Sequence, residues 1–224
     1  MNKPVIFLGP SLSREKAKNI LEADYRPPAK KGDLLRLASL TKDVTMVGLI
    51  DGFFLRDYPP TPIEVYQLAT KKNMLLVGGA SLGALRAVEL EKFGMIGIGK
   101  IFELYKTGKI DGDDEVAVTF EEGRHELQSE AMIDIRFNLF IAKRKGIIDE
   151  STKREITRVA KNVYFPYRNY TDILDLTKRK YPRSDSYIES FRTYIANNRE
   201  SLKERDAMKL INYIKNQQIR HAKD

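Results

Sequence analysis

The stretch Gly79-Ala80-Ser81-Leu82-Gly83 fits the pattern G-x-S-x-G, with an apolar run at residues 74–77 before it and a helical sequence after it. On a sharp strand-to-helix turn such a serine lifts its hydroxyl above the sheet, and the next backbone N–H, that of Leu82, stabilises an oxyanion. A serine nucleophile also needs a base. The chain has two histidines: His125, in the polar stretch EEGRHELQSE, and His221, near the C-terminus. Asp51 ends a second apolar run and can orient a histidine or act alone on a water. Ser81 and Asp51 are therefore the candidate catalytic pair. A second reading needs no base, because the hydroxyl and free N–H groups at a helix N-terminus favour an anion, to which Arg86 adds a charge-assisted contact. In a third reading Ser81 only caps its helix and Arg86 pairs with Glu89.

These residues need a frame. Residues 5–8, 44–50 and 74–77 are short, nearly continuous apolar runs that stop at Gly9-Pro10-Ser11, Asp51-Gly52 and Gly78-Gly79. Such runs predict strands buried on both faces. Helices are predicted between them at residues 13–21, 33–39 and 62–71, the last opened by Thr61 as N-cap, Pro62 and the acidic Glu64. Alternation of this kind implies an α/β fold with a parallel, Rossmann-like sheet and helices on both faces. Ligands then gather at the carboxyl ends of the strands, which makes Gly9, Pro10, Ser11, Gly79, Ala80, Leu82, Gly83 and Arg86 candidate binding residues. A fourth strand is predicted at residues 115–120. From about residue 127 only helical spacing remains, at residues 127–145, 151–162, 172–179, 186–197 and 201–220. The expected domains are an α/β core over residues 1–125 and a helical, basic region over residues 126–224.

Two loops invite a closer look. Residues 24–33 run Asp-Tyr-Arg-Pro-Pro-Ala-Lys-Lys-Gly-Asp, and their prolines preset an extended backbone, suited to a lid carrying Tyr25 or to a connector of fixed shape. Asp111, Asp113, Asp114 and Glu115 present oxygens to a hard cation. Their spacing is not that of a calcium loop, and a solvated acidic turn is the favoured reading, so no metal and no cofactor are expected.

Composition bounds the rest. The 224 residues are 42% hydrophobic and 31% charged, which suits a chain that buries a core. With no cysteine, disulfides, thiolate catalysis, Cys-ligated zinc and iron–sulfur clusters are excluded. No apolar run approaches the roughly 20 residues of a membrane helix. MNKPVIFLGP is expected to be a strand and not a signal, and the protein to be cytoplasmic. Residues 1–150 hold 22 Lys+Arg against 22 Asp+Glu, whereas residues 151–224 hold 17 against 9 and so account for the net +8. That asymmetry points to an acidic partner, protein or nucleic acid. Nucleic acid is the weaker candidate, because aromatic and basic residues interleave only at Tyr164-Phe165-Pro166-Tyr167-Arg168.

At these residues the sequence resembles the TfuA-like family. The resemblance runs in order through "VIFLGPSLS", "DYRPPAKKGDLLRL", "VGLIDGFF", "GGASLGALRAVEL" with "FGMIGIGKIFELYK", "DGDDEVAV" and "SEAMIDIR", covers residues 4–137 closely, and continues in style in "LKERDAMKLI". It implies an accessory role beside a YcaO protein, an ATP-dependent enzyme that activates a peptide amide so that sulfur replaces its oxygen. The implied target is a peptide or protein substrate, in methanogenic archaea a glycine of methyl-coenzyme M reductase. The implied task is sulfur supply, either by recruiting a thiocarboxylated ubiquitin-like sulfur carrier protein as a non-catalytic adaptor or by hydrolysing it as a serine-type thiocarboxylate hydrolase. The positions matching the family motifs are Gly9, Pro10, Ser11, Asp51, Gly79, Ser81, Gly83 and Arg86.

Overall fold

A computed structural model describes residues 3–40, 44–54, 58–121 and 126–221. Five parallel strands form one sheet: β1 (Val5–Phe7), β2 (Asp24–Arg26), β3 (Met46–Leu49), β4 (Leu75–Gly79) and β5 (Ile96–Ile98), in the order β2-β1-β3-β4-β5. Helices α1 (Arg14–Ile20), α2 (Asp33–Leu40), α3 (Pro62–Ala69) and α4 (Leu82–Leu90) make the crossovers, and α5 (Lys100–Lys106) follows β5. The α/β fold, the parallel sheet and the three strands after which the loops were read are as expected. Thr61 opens α3 with a reciprocal capping box, its hydroxyl bonded to the Glu64 amide and the Glu64 carboxylate to the Thr61 amide. Two strands escaped the sequence reading. Asp24–Arg26 pairs with β1 at the sheet edge, so the proline loop starts three residues later, and Ile96–Ile98 pairs with β4. Neither is a continuous apolar run: the first is charged at both ends, and the second is interrupted by Gly97.

The chain divides into two compact units, Met1–Asp113 with Lys203–Asp224, and Asp114–Leu202. In the first, helix α10 (Leu202–His221) groups with the sheet although 95 residues, 107–201, separate it from α5. Ala207, Leu210, Ile211 and Ile214 recur at helical spacing and are fully buried against Ile6, Met46 and Val77. Each large side chain so buried stabilises by about 1.5–3 kcal/mol. Gly48 makes the approach possible, since a Cβ there would stand 2.9 Å from Ile214 Cδ1 and 3.1 Å from Leu210 Cδ2. Asp206, on the same helix, accepts a 2.7 Å bond from the Ile101 amide and so caps the start of α5. Burial pushes its carboxyl above the ordinary value, against the opposing pull of the Ile101 and Lys100 amides.

The second unit is helical: α6 (Met132–Arg144), α7 (Glu150–Asn162), α8 (Tyr170–Lys180) and α9 (Asp185–Asn197). Its core joins Ile135 and Leu139 of α6 to Ile156, Ile173, Ile188 and Phe191. The strand expected at residues 115–120 is not formed. Residues 113–115 make one turn of 3-10 helix, and beyond them only an isolated antiparallel bridge joins Phe120 to Leu127. Val116, Ala117 and Val118 are nonetheless buried, so the apolar run reported burial and not pairing. What fixes the segment is charge. Glu115 accepts from Arg136 at 2.8 and 2.9 Å and from Lys161 at 2.8 Å. Asp114 accepts from Lys161 and from Arg168, both at 2.6 Å. The Arg168 guanidinium, 1% exposed, also donates to the carbonyls of Ala160, Val163 and Asp114. Burial alone would raise the Asp114 and Glu115 carboxyls, but these bonds and charges outweigh it and hold both below their ordinary values.

Candidate functional site at the carboxyl edge of the sheet

Strand order reverses between β1 and β3, and the crevice outside the carboxyl ends at such a reversal is where open α/β sheets bind ligands. Asp51, at the end of β3, is 1% exposed and faces the loop that leaves β1. Its Oδ2 accepts from the amides of Gly9 (2.9 Å) and Ser11 (3.1 Å), and its Oδ1 from the Ser11 hydroxyl (2.6 Å). The Asp51 carbonyl in turn accepts from Ala29, which ties the proline loop to the same point. Gly9 has no room for a side chain, because a Cβ there would lie 2.4 Å from Pro28 Cγ. Gly9, Pro10, Ser11 and Asp51 are thus brought together in one knot.

The turn from β4 into α4 lies beside it. Gly83 donates to the Ile50 carbonyl at 3.1 Å, one residue before Asp51, and the Leu82 side chain covers Gly52. Gly83, which closes the G-x-S-x-G run, and Gly78, which stands just ahead of it, serve this close approach. A Cβ on Gly83 would sit 1.7 Å from the Leu49 carbonyl oxygen, and one on Gly78 would sit 2.2 Å from the Gly83 oxygen. Between them the chain makes a tight turn in which the Ser81 amide donates to the Gly79 carbonyl at 2.8 Å around Ala80, whose φ is +66°. A three-residue turn of this hand is rare and strained in a residue with a side chain, and such strain gathers at functional sites.

Ser81 occupies the N-cap position, but its side chain makes no capping bond. It is 2% exposed, and its hydroxyl has no hydrogen-bond partner among the described residues. Of the first amides of α4, those of Gly83 and Ala84 are taken by Ile50 and Ser81 carbonyls, while that of Leu82 has no acceptor among the described residues. A hydroxyl and a backbone amide without partners among the described residues therefore stand side by side at the positive end of a helix.

Across residues 51–169, more than half of the chain, the sequence matches the profile of the TfuA-like protein family. The chain belongs to that family. No curated protein matches it. The TfuA-like segment starts at Asp51 and takes in the α4 turn and the charge network around Glu115; Gly9, Pro10 and Ser11 precede it. Two candidate residues of this TfuA-like protein are placed away from an open ligand position. The Tyr25 ring is buried, and its hydroxyl donates to the Ala17 and Leu21 carbonyls at 2.9 and 2.8 Å; burial pushes its pKa up to about 12. Arg86 is buried as well. Its Nε donates to the Pro60 carbonyl at 2.9 Å and its Nη1 to the Glu89 carboxylate at 2.9 and 2.7 Å, so it braces the loop ahead of α3 and pairs with Glu89. His125 lies outside the described residues. Asp114 and Glu115 are occupied by three cationic side chains, and no group of three His, Cys, Asp or Glu among the described residues is placed to hold a metal.

The bond between Ser11 and Asp51 was not legible in the sequence. The two residues are 40 positions apart, and only the strand order, which sets β1 beside β3, makes them neighbours. No helix among the described residues is long and apolar enough to cross a membrane.

Proposed function

We propose that this protein supplies sulfur for YcaO-dependent thioamidation of a peptide backbone in the cytoplasm, the substrate being a glycine of methyl-coenzyme M reductase. In this reading the carboxyl edge of the sheet receives the C-terminal thiocarboxylate of a small ubiquitin-like sulfur carrier and hydrolyses it to hydrosulfide. The observation that carries it is the unpartnered pair at the start of α4. The Ser81 hydroxyl and the Leu82 amide offer two donors to an anion at the positive end of α4. Charge supports the same end. Residues 114–202 hold 16 Lys+Arg and 15 Asp+Glu, so the excess of positive charge falls on the unit that carries the sheet. Such a field speeds encounter with an anionic carrier.

Hydrosulfide leaves an acyl carbon far more readily than an amine, so a site poor in histidine can still release it. The Ser81 side chain makes no capping hydrogen bond, and no hydrogen bond joins it to a base among the described residues. That favours a second reading, in which the protein holds the carrier for YcaO without cleaving it.

Equilibrium binding tests the anion seat. A carrier ending in thiocarboxylate should bind at least tenfold tighter than the same carrier with an amidated C-terminus. Ser81→Ala should erase most of that preference, since one hydrogen bond to a charged group is worth about 1.5–3 kcal/mol. Equal affinity for the two carriers, unchanged in Ser81→Ala, would remove the seat.

A further inference from the structure

We propose that the groove between the last turns of α7 and α8 docks an acidic peptide segment of a partner protein, which sets a bulky apolar side chain on Val159, Val163 and Leu176 and its carboxylates on Arg179 and Lys180. The groove lies wholly in the helical unit and is independent of the chemistry at the sheet edge. Its volume is about 420 Å³, and Asn162 completes its lining. Val159 is buried, but Leu176, near the end of α8, is 42% exposed. A groove this open cannot enclose a small molecule, whose sites bury most of the ligand. It suits a peptide, which takes one anchor from the groove and the rest of its contacts from the rim. Just beyond Val163 the chain presents Tyr164 and Tyr167, 58% and 72% exposed, their rings edge to face with centroids 6.1 Å apart. Tyrosine and arginine are the residue types that supply much of the binding energy at protein interfaces.

Charge chooses the partner. Three cations fill the last turn of α8. Lys178 pairs with Asp185 at 2.8 Å and with Glu189 at 3.3 Å, whereas Arg179 and Lys180 form no ion pair among the described residues. Arg158 joins them, because its Nη1 donates to the Tyr181 hydroxyl at 3.4 Å and Lys180 Nζ lies 5.8 Å from the centroid of the same ring. The carboxylates of these two helices are engaged elsewhere: Glu150 with Lys143 and Lys153, Glu155 with Ser184, Asp172 with Asn169 and Asp175 with Arg192. A cation near a helix C-terminus complements the dipole, and Lys178 already serves that end. The helical unit as a whole is nearly balanced in charge, so the cationic edge is local. Opposite charge on a partner segment steers it to such an edge and fixes its register.

Titration of the full-length chain with a fluorescein-labelled peptide, Glu-Asp-Glu-Leu-Leu-Glu-Asp-Glu amidated at its C-terminus, tests the groove. Saturable binding with a Kd below about 1 mM at low salt is expected, with the methyl signals of Val159, Val163 and Leu176 shifting in step. Arg179→Glu with Lys180→Glu should weaken binding about tenfold or more, and Leu176→Ala about fivefold. Lys72→Glu with Lys92→Glu, the same change of charge on the other unit, should leave it within about twofold. All five substituted side chains are exposed in the folded chain. No saturation, equal loss in the two double variants, or equal affinity for a peptide with serines in place of the leucines overturns the proposal. So does dimerisation of the free chain that Leu176→Ala abolishes, which would give the groove to a second copy. Displacement of the peptide by a stoichiometric amount of oligouridylate would give it to nucleic acid and overturn the proposal as well.

Discussion

Gly83→Ala is the sharpest test of how α4 is seated. The added methyl would lie 1.7 Å from the Leu49 carbonyl oxygen and 2.6 Å from its carbon, and both are backbone atoms of β3 with no rotamer to escape into. The first turn of α4 must back away from the sheet, which also stretches the 3.1 Å bond from the Gly83 amide to Ile50. Overpacking of this kind costs about 3 kcal/mol, and the weakened bond adds about 1 kcal/mol. The sum, about 4 kcal/mol, lowers Tm by roughly 8–16 °C for a chain of this size. Gly108→Ala is the control: nothing lies within 4 Å of its Cβ, and only a φ of +65° opposes the change, at about 1 kcal/mol. Urea unfolding with hydrogen exchange, read at the β3 and β4 amides, reports on this unit separately from α6–α9. A loss below about 1 kcal/mol in Gly83→Ala would mean that α4 does not sit against β3 as described.

Three further outcomes follow from the same contacts. The ordinary values for Asp114 and Glu115 are 3.8 and 4.5, and both carboxyls are held lower in the folded chain. Their contribution is therefore complete above those values and drains away as pH falls through the lower, folded ones, so the urea midpoint of the helical unit should drop below about pH 4. Glu115→Gln should cost about 3 kcal/mol at pH 7 and flatten that acid limb; an unchanged limb would place the acid sensitivity elsewhere. Tyr25→Phe removes a buried donor whose one proton is shared between the Ala17 and Leu21 carbonyls and should lower stability by about 1 kcal/mol while leaving carrier affinity unchanged, and a tenfold loss of affinity would instead make Tyr25 a ligand contact. Arg86→Lys should loosen the loop at Pro60 and raise the Kd for the carrier only modestly, about threefold; a hundredfold loss would show that the guanidinium itself holds the anion.

Much of the sheet could be read from local signals, because β1, β3 and β4 are continuous apolar runs closed by turn residues, and Thr61-Pro62 with Glu64 announces a helix. β2 and β5 lack such a run: Asp24-Tyr25-Arg26 is charged at both ends and Ile96-Gly97-Ile98 is interrupted by a glycine and only half-buried. Residues 115–120 failed for the opposite reason: an apolar run marks burial, and whether it pairs depends on a neighbouring edge that local sequence does not describe. At the site, Ser81 and the free Leu82 amide follow from one five-residue pattern. The Ser11–Asp51 bond and the bracing of Pro60 by Arg86 are products of strand order and loop packing. Arg86 is instructive, since its pairing with Glu89 three residues on was visible in the sequence, whereas its second partner lies 26 residues away.

Sulfide release from a thiocarboxylated carrier, measured for the wild-type protein without YcaO, tests the central claim most directly. Several equivalents of hydrosulfide per protein chain, with carrier carboxylate formed in equal amount, are the predicted result. Tight carrier binding with no sulfide above the protein-free background would contradict hydrolysis and leave a holder that passes the carrier to YcaO intact.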